Sequence, residues 1–173
     1  MKMPHLAVAI LAITALTSCG GGDVNTLSLT GTAAIGASIA AAPVEGKCAT
    51  GSATTTTAAD GTFTLTSTTA TLPCLLRITL PNGAGYLHSV AQSGASTANI
   101  TPLTEIITAN VLGVSPSVLF SSFAPSDAAG ITSAKIAVAQ AVVIAVATQA
   151  GVDLTGADPL KAFHYTQVGL LPC

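Results

Sequence analysis

The residues that could carry out acid–base chemistry are few and far apart. His88 and His164 are the only histidines after position 19, and 76 positions separate them. Glu105 is the only acidic residue between Asp60 and Asp127. Catalysis by a general base needs a base, a nucleophile and an orienting group within hydrogen-bond reach, and the sequence indicates no such set. We therefore predict that the chain is not an enzyme, that His88 is a strand residue near the surface, and that Glu105 is structural.

Motifs that bind cofactors, metals or nucleic acids do not occur in the sequence. It has neither a Gly-x-Ser-x-Gly elbow nor a phosphate-binding loop. Asp153 and Asp158 do not have the alternating ligand spacing of a calcium loop. Charged residues make up 7% of the chain and the formal net charge is −2, so nucleic-acid binding has no electrostatic support. The sequence predicts no cofactor, no metal and no nucleic-acid partner.

The N-terminal segment is typical of an export signal. Lys2 supplies a positive charge, and residues 6–16 form an apolar run of 11 residues, too short to span a bilayer. Thr17 and Ser18 then precede Cys19. This order resembles the lipobox of bacterial lipoprotein precursors, in which the cysteine is acylated, for example with palmitate, and becomes the new N-terminus. An ordinary secretory signal with an incidental cysteine is the alternative.

The resemblance implies a lipoprotein signal peptide over residues 1–18 and a lipid bilayer as partner of acylated Cys19. Three glycines follow at positions 20–22. They have wide backbone freedom, so residues 19–26 are expected to be a flexible tether. Gly21 stands where an aspartate would favour retention in the inner membrane of enteric bacteria. By that resemblance we expect a lipid-anchored protein of the bacterial cell envelope, delivered to the outer membrane.

Three cysteines remain once Cys19 is assigned to lipid. Export places them in an oxidising compartment, where disulfides persist. Cys48 and Cys74 each lie in a strand-like segment, and we predict that they form a disulfide. Zinc binding is the alternative, but there is no Cys-x-x-Cys pair and no His-x-x-x-His spacing. Cys173, the last residue, has no assigned role.

The segment 27–101 has the pattern of an all-β domain. Asp60-Gly61 is a turn signal between threonine-rich runs, with Phe63 and Leu65 at period two, and it predicts a hairpin. About seven short strands at this spacing favour a β-sandwich. Threonine occupies ten of the 18 positions from 54 to 71, which suits a solvated strand face, although low-complexity disorder is an alternative.

The stretch "AAPVEGKCATGSATTTTAADGTFTL" is similar to the carboxypeptidase regulatory-like, prealbumin-type (Ig-like) domains of bacterial envelope proteins. Ala42-Pro43-Val44 and Asp60-Gly61-Thr62-Phe63 match the pattern of that family in order and separation. These motifs encode turns and core positions. The resemblance therefore implies a seven-stranded Greek-key sandwich without catalytic residues.

The period changes from 2 to 3.6 after Thr101, so residues 102–173 are predicted to be a helical appendage. Thr101 and Pro102 are expected to begin a helix that ends at Gly113. Thr132 or Ser133 is expected to cap a longer helix that ends at Gly151. The longer helix is apolar on all sides, so it should be buried against the sandwich, another helix or another protein.

The chain ends abruptly after Asp158-Pro159, which looks like the start of another element, and this suggests a truncated C-terminus. Taken together, the sequence predicts a non-enzymatic envelope lipoprotein that acts as a binding or structural module. Its partner would be an envelope protein or a glycan. The alternative function is an accessory domain of an envelope hydrolase system, or a truncated remnant from one.

Overall fold

The computed structural model describes residues 26–154 and 156–162. Within them, two antiparallel sheets are followed by helices, in agreement with the predicted order of a β-sandwich and a helical region. The strands are β1 (Leu27–Thr32), β2 (Pro43–Thr50), β3 (Ser52–Thr56), β4 (Thr62–Ser67), β5 (Thr71–Thr79) and β6 (Tyr86–Ala91). The helices are α1 (Pro102–Leu112), α2 (Pro116–Ser122), α3 (Pro125–Ala129) and α4 (Ser133–Gln149).

The smaller sheet pairs β1 with β4, and Leu29 lies opposite Leu65. Apolar and polar residues alternate along both strands, so one face is buried and the other is a row of exposed hydroxyls. Residues 96–100 extend this sheet, because the Thr30 N–H bonds the Ser96 carbonyl and the Ala98 N–H bonds the Thr30 carbonyl. This segment runs parallel to β1 through isolated bridges, so the described residues contain six strands where about seven were predicted.

The larger sheet has the strand order β3–β2–β5–β6. Its inner face packs on the smaller sheet through a core that includes Val44, Leu76 and Ile78, all fully buried. Its outer face packs on the helices through Leu75 and Val90. The larger sheet is therefore the middle layer of the molecule, and β5 is buried on both sides because it is a central strand.

The predicted hairpin around Asp60-Gly61 is wrong in its strand pairing. The turn is present, with Gly61 at a φ of +79°, but β3 pairs with β2 and β4 pairs with β1. The turn thus carries the chain from one sheet to the other. The Thr62 hydroxyl and N–H both donate to the Asp60 carboxylate, which lowers the pKa of that carboxyl below its usual value. Pattern alone could not reveal the crossing, because hairpins and inter-sheet turns use the same turn residues.

The helix ends follow the predicted caps. Thr101 caps α1 by accepting from the Thr104 N–H, and Gly113 ends it in the left-handed conformation. Thr132, one of the two predicted candidates, caps α4 by accepting from the Lys135 N–H. Glu105 lies in the first turn of α1, where its charge favours the helix N-terminus.

The longest helix packs on the rest of the molecule as expected, but it is buried on one side only. Ile136, Ala139 and Val143 of α4 are buried in the helical core. Val138, Val142 and Val146 form an exposed stripe on the other side. Among the described helices, none is by itself long and apolar enough to span a bilayer. Only α1 and α2 taken together have the length and apolar composition of a span, and the two helices are bent by 65° relative to each other.

Candidate functional site

A row of charged and polar side chains crosses the outer face of the larger sheet, beneath the helices. Glu45 of β2 lies opposite Arg77 of β5, and Arg77 lies opposite His88 of β6. Strand alternation places all three on the same face. Glu105 reaches this row from α1 and Lys47 flanks it on β2. In a chain with so few charges, this polar row is the main concentration of ionisable groups among the described residues.

His88 is tied to α1 by three of its polar groups. The Glu105 carboxylate accepts from the His88 backbone N–H, and its Oε2 lies 2.9 Å from the imidazole Nδ1. The Thr104 hydroxyl donates to the His88 carbonyl oxygen at 3.0 Å. Because β6 is an edge strand, these backbone groups would otherwise lack partners. The first turn of α1 therefore completes the sheet edge and fixes Nδ1 as a hydrogen-bond donor.

The Arg77 guanidinium lies against two aromatic rings. Its Cζ lies 4.1 Å from the Phe120 ring centroid and 4.4 Å from that of Tyr86. Its Nη2 donates to both oxygens of Glu45 at 2.9 and 3.0 Å. Cation–π contact and a hydrogen-bonded ion pair together compensate for removing the guanidinium from water.

Phe120 anchors α2 over the polar row. Its ring is 1% exposed and also lies 5.1 Å from the Lys47 Nζ. The same ammonium donates to the Ser121 carbonyl oxygen at 3.1 Å, in the last turn of α2, where a cation interacts favourably with the helix dipole. The polar row thus holds α1 through Glu105 and α2 through Phe120 and Lys47.

The imidazole–carboxylate pair resembles the orienting half of a hydrolase triad, since a carboxylate fixes the ring through Nδ1. Its other nitrogen, Nε2, is fully buried, and His88 lies beside Phe120 with ring centroids 5.9 Å apart. A general base must reach substrate, so this geometry suits structural clamping of helix to sheet better than catalysis.

The structure corrects the prediction about His88 and supplies a partner for Glu105. His88 is not near the surface but 0% exposed, because α1 and α2 cover β6. Glu105 has the partner that the sequence did not indicate. The two residues are 17 positions apart, in a strand and a helix whose relative orientation the sequence does not fix. A histidine on the outer face of a strand that precedes a helix with an acidic first turn is the only signal that could have suggested the pairing.

The predicted disulfide is confirmed. Cys48 and Cys74 lie directly opposite each other on β2 and β5, with a Cα–Cα distance of 3.9 Å and an S–S bond of 2.00 Å. Both are buried in the core between the sheets. The predicted lipid-attachment residue Cys19 lies outside the described residues, as do His164 and Cys173.

Asp158 and Asn99 both have structural partners. The Asp158 Oδ1 accepts from the Gln140 amide at 2.6 Å, and its Oδ2 lies 3.3 Å from the Lys161 Nζ. Within residues 26–154 and 156–162, no group of three or more His, Cys, Asp or Glu side chains could hold a metal ion. Asn99, in an Asn-Ile-Thr sequon, is 8% exposed, and its Oδ1 accepts from the Thr32 N–H, so its amide is poorly placed for glycosylation.

A groove of about 710 Å³ opens between the end of β1 and the N-terminus of α1. Its volume lies within the range typical of small-molecule sites. Most of the lining is apolar or uncharged, and Lys161 is its one charged residue among those described. The groove is therefore large enough, and apolar enough, to accommodate a small ligand.

Glu105→Gln is expected to lower the free energy of unfolding by about 1–2 kcal/mol, because a neutral amide replaces a carboxylate that accepts two hydrogen bonds from a buried residue. Urea denaturation followed by circular dichroism measures this loss. Ile106→Gln is the matched control, since it places the same side chain on a neighbouring exposed position. Equal stability of the two variants would contradict the role assigned to Glu105.

Comparison with known proteins adds little to this description. No known protein family matches the sequence, and no curated protein matches it. A solved structure described as a 9R-lipoxygenase from Cyanothece PCC8801 matches 55% of this chain and 18% of its own length, at 12% identity and a TM-score of 0.27. The chain thus spans under a fifth of that protein, and a likeness this slight carries no argument about fold or activity.

Proposed function

We propose that this chain is a lipoprotein of the bacterial cell envelope, anchored through acylated Cys19. The sequence Leu16-Thr17-Ser18-Cys19 after an apolar run of 11 residues carries this proposal. Two or three acyl chains would anchor the protein stably, since each buried methylene contributes about 0.8 kcal/mol. The disulfide between Cys48 and Cys74 supports export, because such bonds persist in oxidising compartments. Gly21 favours delivery to the outer membrane.

The folded part is proposed to act as a non-enzymatic binding or structural module. The best candidate for an acid–base centre, His88 with Glu105, is engaged in holding α1 against β6, and its free nitrogen is buried. The regulatory-like, seven-stranded Greek-key domain suggested by Ala42-Pro43-Val44 and Asp60–Phe63 belongs to the same proposal. The partner of this module would be an envelope protein or a glycan, which it would bind at the membrane surface.

Cys19→Ser is expected to abolish acylation completely, because the serine hydroxyl cannot accept the lipid that the cysteine thiol carries. Metabolic labelling with a fatty-acid probe measures incorporation, and the mass of the product shows whether residues 1–18 remain. Cys173→Ser is the control and should keep full label. Equal labelling of the Cys19→Ser variant and the unchanged protein would contradict the proposal that Cys19 is acylated.

A further inference from the structure

The groove between β1 and α1 combines apolar walls with hydrogen-bond donors. Ala34, Ile35, Pro102, Leu103 and Ala162 supply the apolar surface. The polar lining consists of Thr32, Asn99, Thr101 and Lys161. No acidic side chain lines the groove among the described residues. Such a cleft is electrostatically complementary to an anion attached to an apolar body.

Asn99 is the most constrained of these donors. It is 8% exposed, its Oδ1 accepts from the Thr32 N–H at 3.0 Å, and its backbone N–H donates to the Leu160 carbonyl at 2.7 Å. The first of these bonds orients the amide, so that Nδ2 is the atom left to donate to the groove. The second brings the segment that carries Lys161 alongside Asn99.

The N-terminus of α1 adds a backbone donor to the lining of the groove. Thr101 accepts from the N–H groups of Thr104 and Glu105, through its hydroxyl and its carbonyl respectively. Pro102 has no N–H, and helix geometry gives the Leu103 N–H no intrahelical partner. Leu103 lines the groove, where the partial positive charge of the helix terminus favours an anion.

We propose that this groove binds a small amphiphile, with a carboxylate near Asn99, Leu103 and Lys161 and its apolar body against Ala34, Ile35 and Pro102. The inference deepens the proposed binding role by naming the ligand class, and it does not depend on the anchor at Cys19. Lys161 supplies the positive charge, and its ammonium also lies 3.3 Å from the Asp158 carboxylate. Asn99 and the N-terminus of α1 supply the hydrogen-bond donors that orient the bound carboxylate.

The test uses octanoate as the probe and the full chain in nanodiscs of neutral phospholipid. Titration followed by amide NMR is expected to shift the signals of the Asn99 side chain and the Leu103 N–H. Octylammonium, with the same chain and the opposite charge, should leave them unchanged. Octanol should bind at least about tenfold more weakly than octanoate, as expected on losing a charge-assisted hydrogen bond.

Two variants test the proposed donors. Asn99→Asp keeps the acceptor for the Thr32 N–H but places a negative charge in the groove, so it should weaken octanoate binding at least about tenfold. Lys161→Gln should act in the same direction, while Lys135→Gln, on an exposed residue of α4, is the control and should have no effect.

Equal binding of octanoate and octanol, or full affinity in Asn99→Asp, would overturn the assignment of a carboxylate site. Absence of binding to the full chain would also overturn it. If the chain shortened at Ala162 then bound octanoate, residues 163–173 rather than a ligand would be the native occupant. None of these results bears on acylation of Cys19, so failure here is distinguishable from failure of the proposed anchor.

Discussion

Val143→Lys is expected to unfold the helical region and to lower the free energy of unfolding by about 3–5 kcal/mol, the range for leaving an unpaired charge in a core. Val143 is 4% exposed and belongs to the core formed by the helices and the outer face of the larger sheet. An ammonium there has no described carboxylate partner. Loss of α4 would also expose Ile107 and Val111 of α1, so the helices should lose structure together.

Val142→Lys is the matched control, since it places the same residue one position away, on a side chain that is 46% exposed. Its effect on stability should stay within about 0.5 kcal/mol. Far-UV circular dichroism and urea denaturation compare the two variants. Equal losses of stability in both variants would show that Val143 does not face the core, and would contradict the packing described for α4.

The exposed stripe of α4 gives the control variant a second use. Val138, Val142 and Val146 are 67%, 46% and 61% exposed, and contiguous apolar surface of this kind promotes association. We expect the chain from Asp23 onward to self-associate, and Val142→Lys to reduce its mass in light scattering. A monomeric chain that the substitution leaves unchanged would show that this stripe is not an interface.

Local chemistry accounts for the parts of the fold that were predictable. The Thr101-Pro102 start and the Gly113 end of α1 follow from capping and backbone preferences that operate within a few residues. The strand segments follow from apolar alternation, and the disulfide was predicted from the cysteine count together with the expected export signal. These predictions did not require knowledge of which strands pair.

Long-range placement accounts for the parts that were not predictable. The Asp60-Gly61 turn joins two sheets because β3 pairs with β2, which directly precedes it, whereas β4 pairs with β1 from a distant part of the sequence. His88 is buried because α1 folds back over β6, and Glu105 becomes its partner only in that arrangement. The groove likewise needs Thr32 of β1, Leu103 of α1 and Lys161 to meet from three separate segments.

Replacing both Cys48 and Cys74 by alanine is expected to lower the free energy of unfolding by about 3.5 kcal/mol. The bond closes a loop with a sequence separation of 26 residues, and the chain-entropy relation gives this value for such a loop. Urea denaturation of the full chain, unchanged and substituted, measures the difference. Cys173→Ala is the control and should leave the denaturation midpoint unchanged, because Cys173 has no part in this bond.

The pairing itself can be demonstrated by a digest designed from the sequence. Trypsin cuts after Lys47 and Arg77, so both cysteines stay in one peptide, residues 48–77, whose only acidic residue is Asp60. A second protease that cuts before aspartate divides this peptide into residues 48–59 and 60–77, which remain joined only if Cys48 is bonded to Cys74. Without reductant the two halves should appear as one mass, and reduction should separate them. The pairing would be contradicted if non-reduced, exported protein gave free halves, or if either half were joined to the C-terminal peptide that contains Cys173. The expected stabilisation of about 3.5 kcal/mol by this disulfide would then no longer apply.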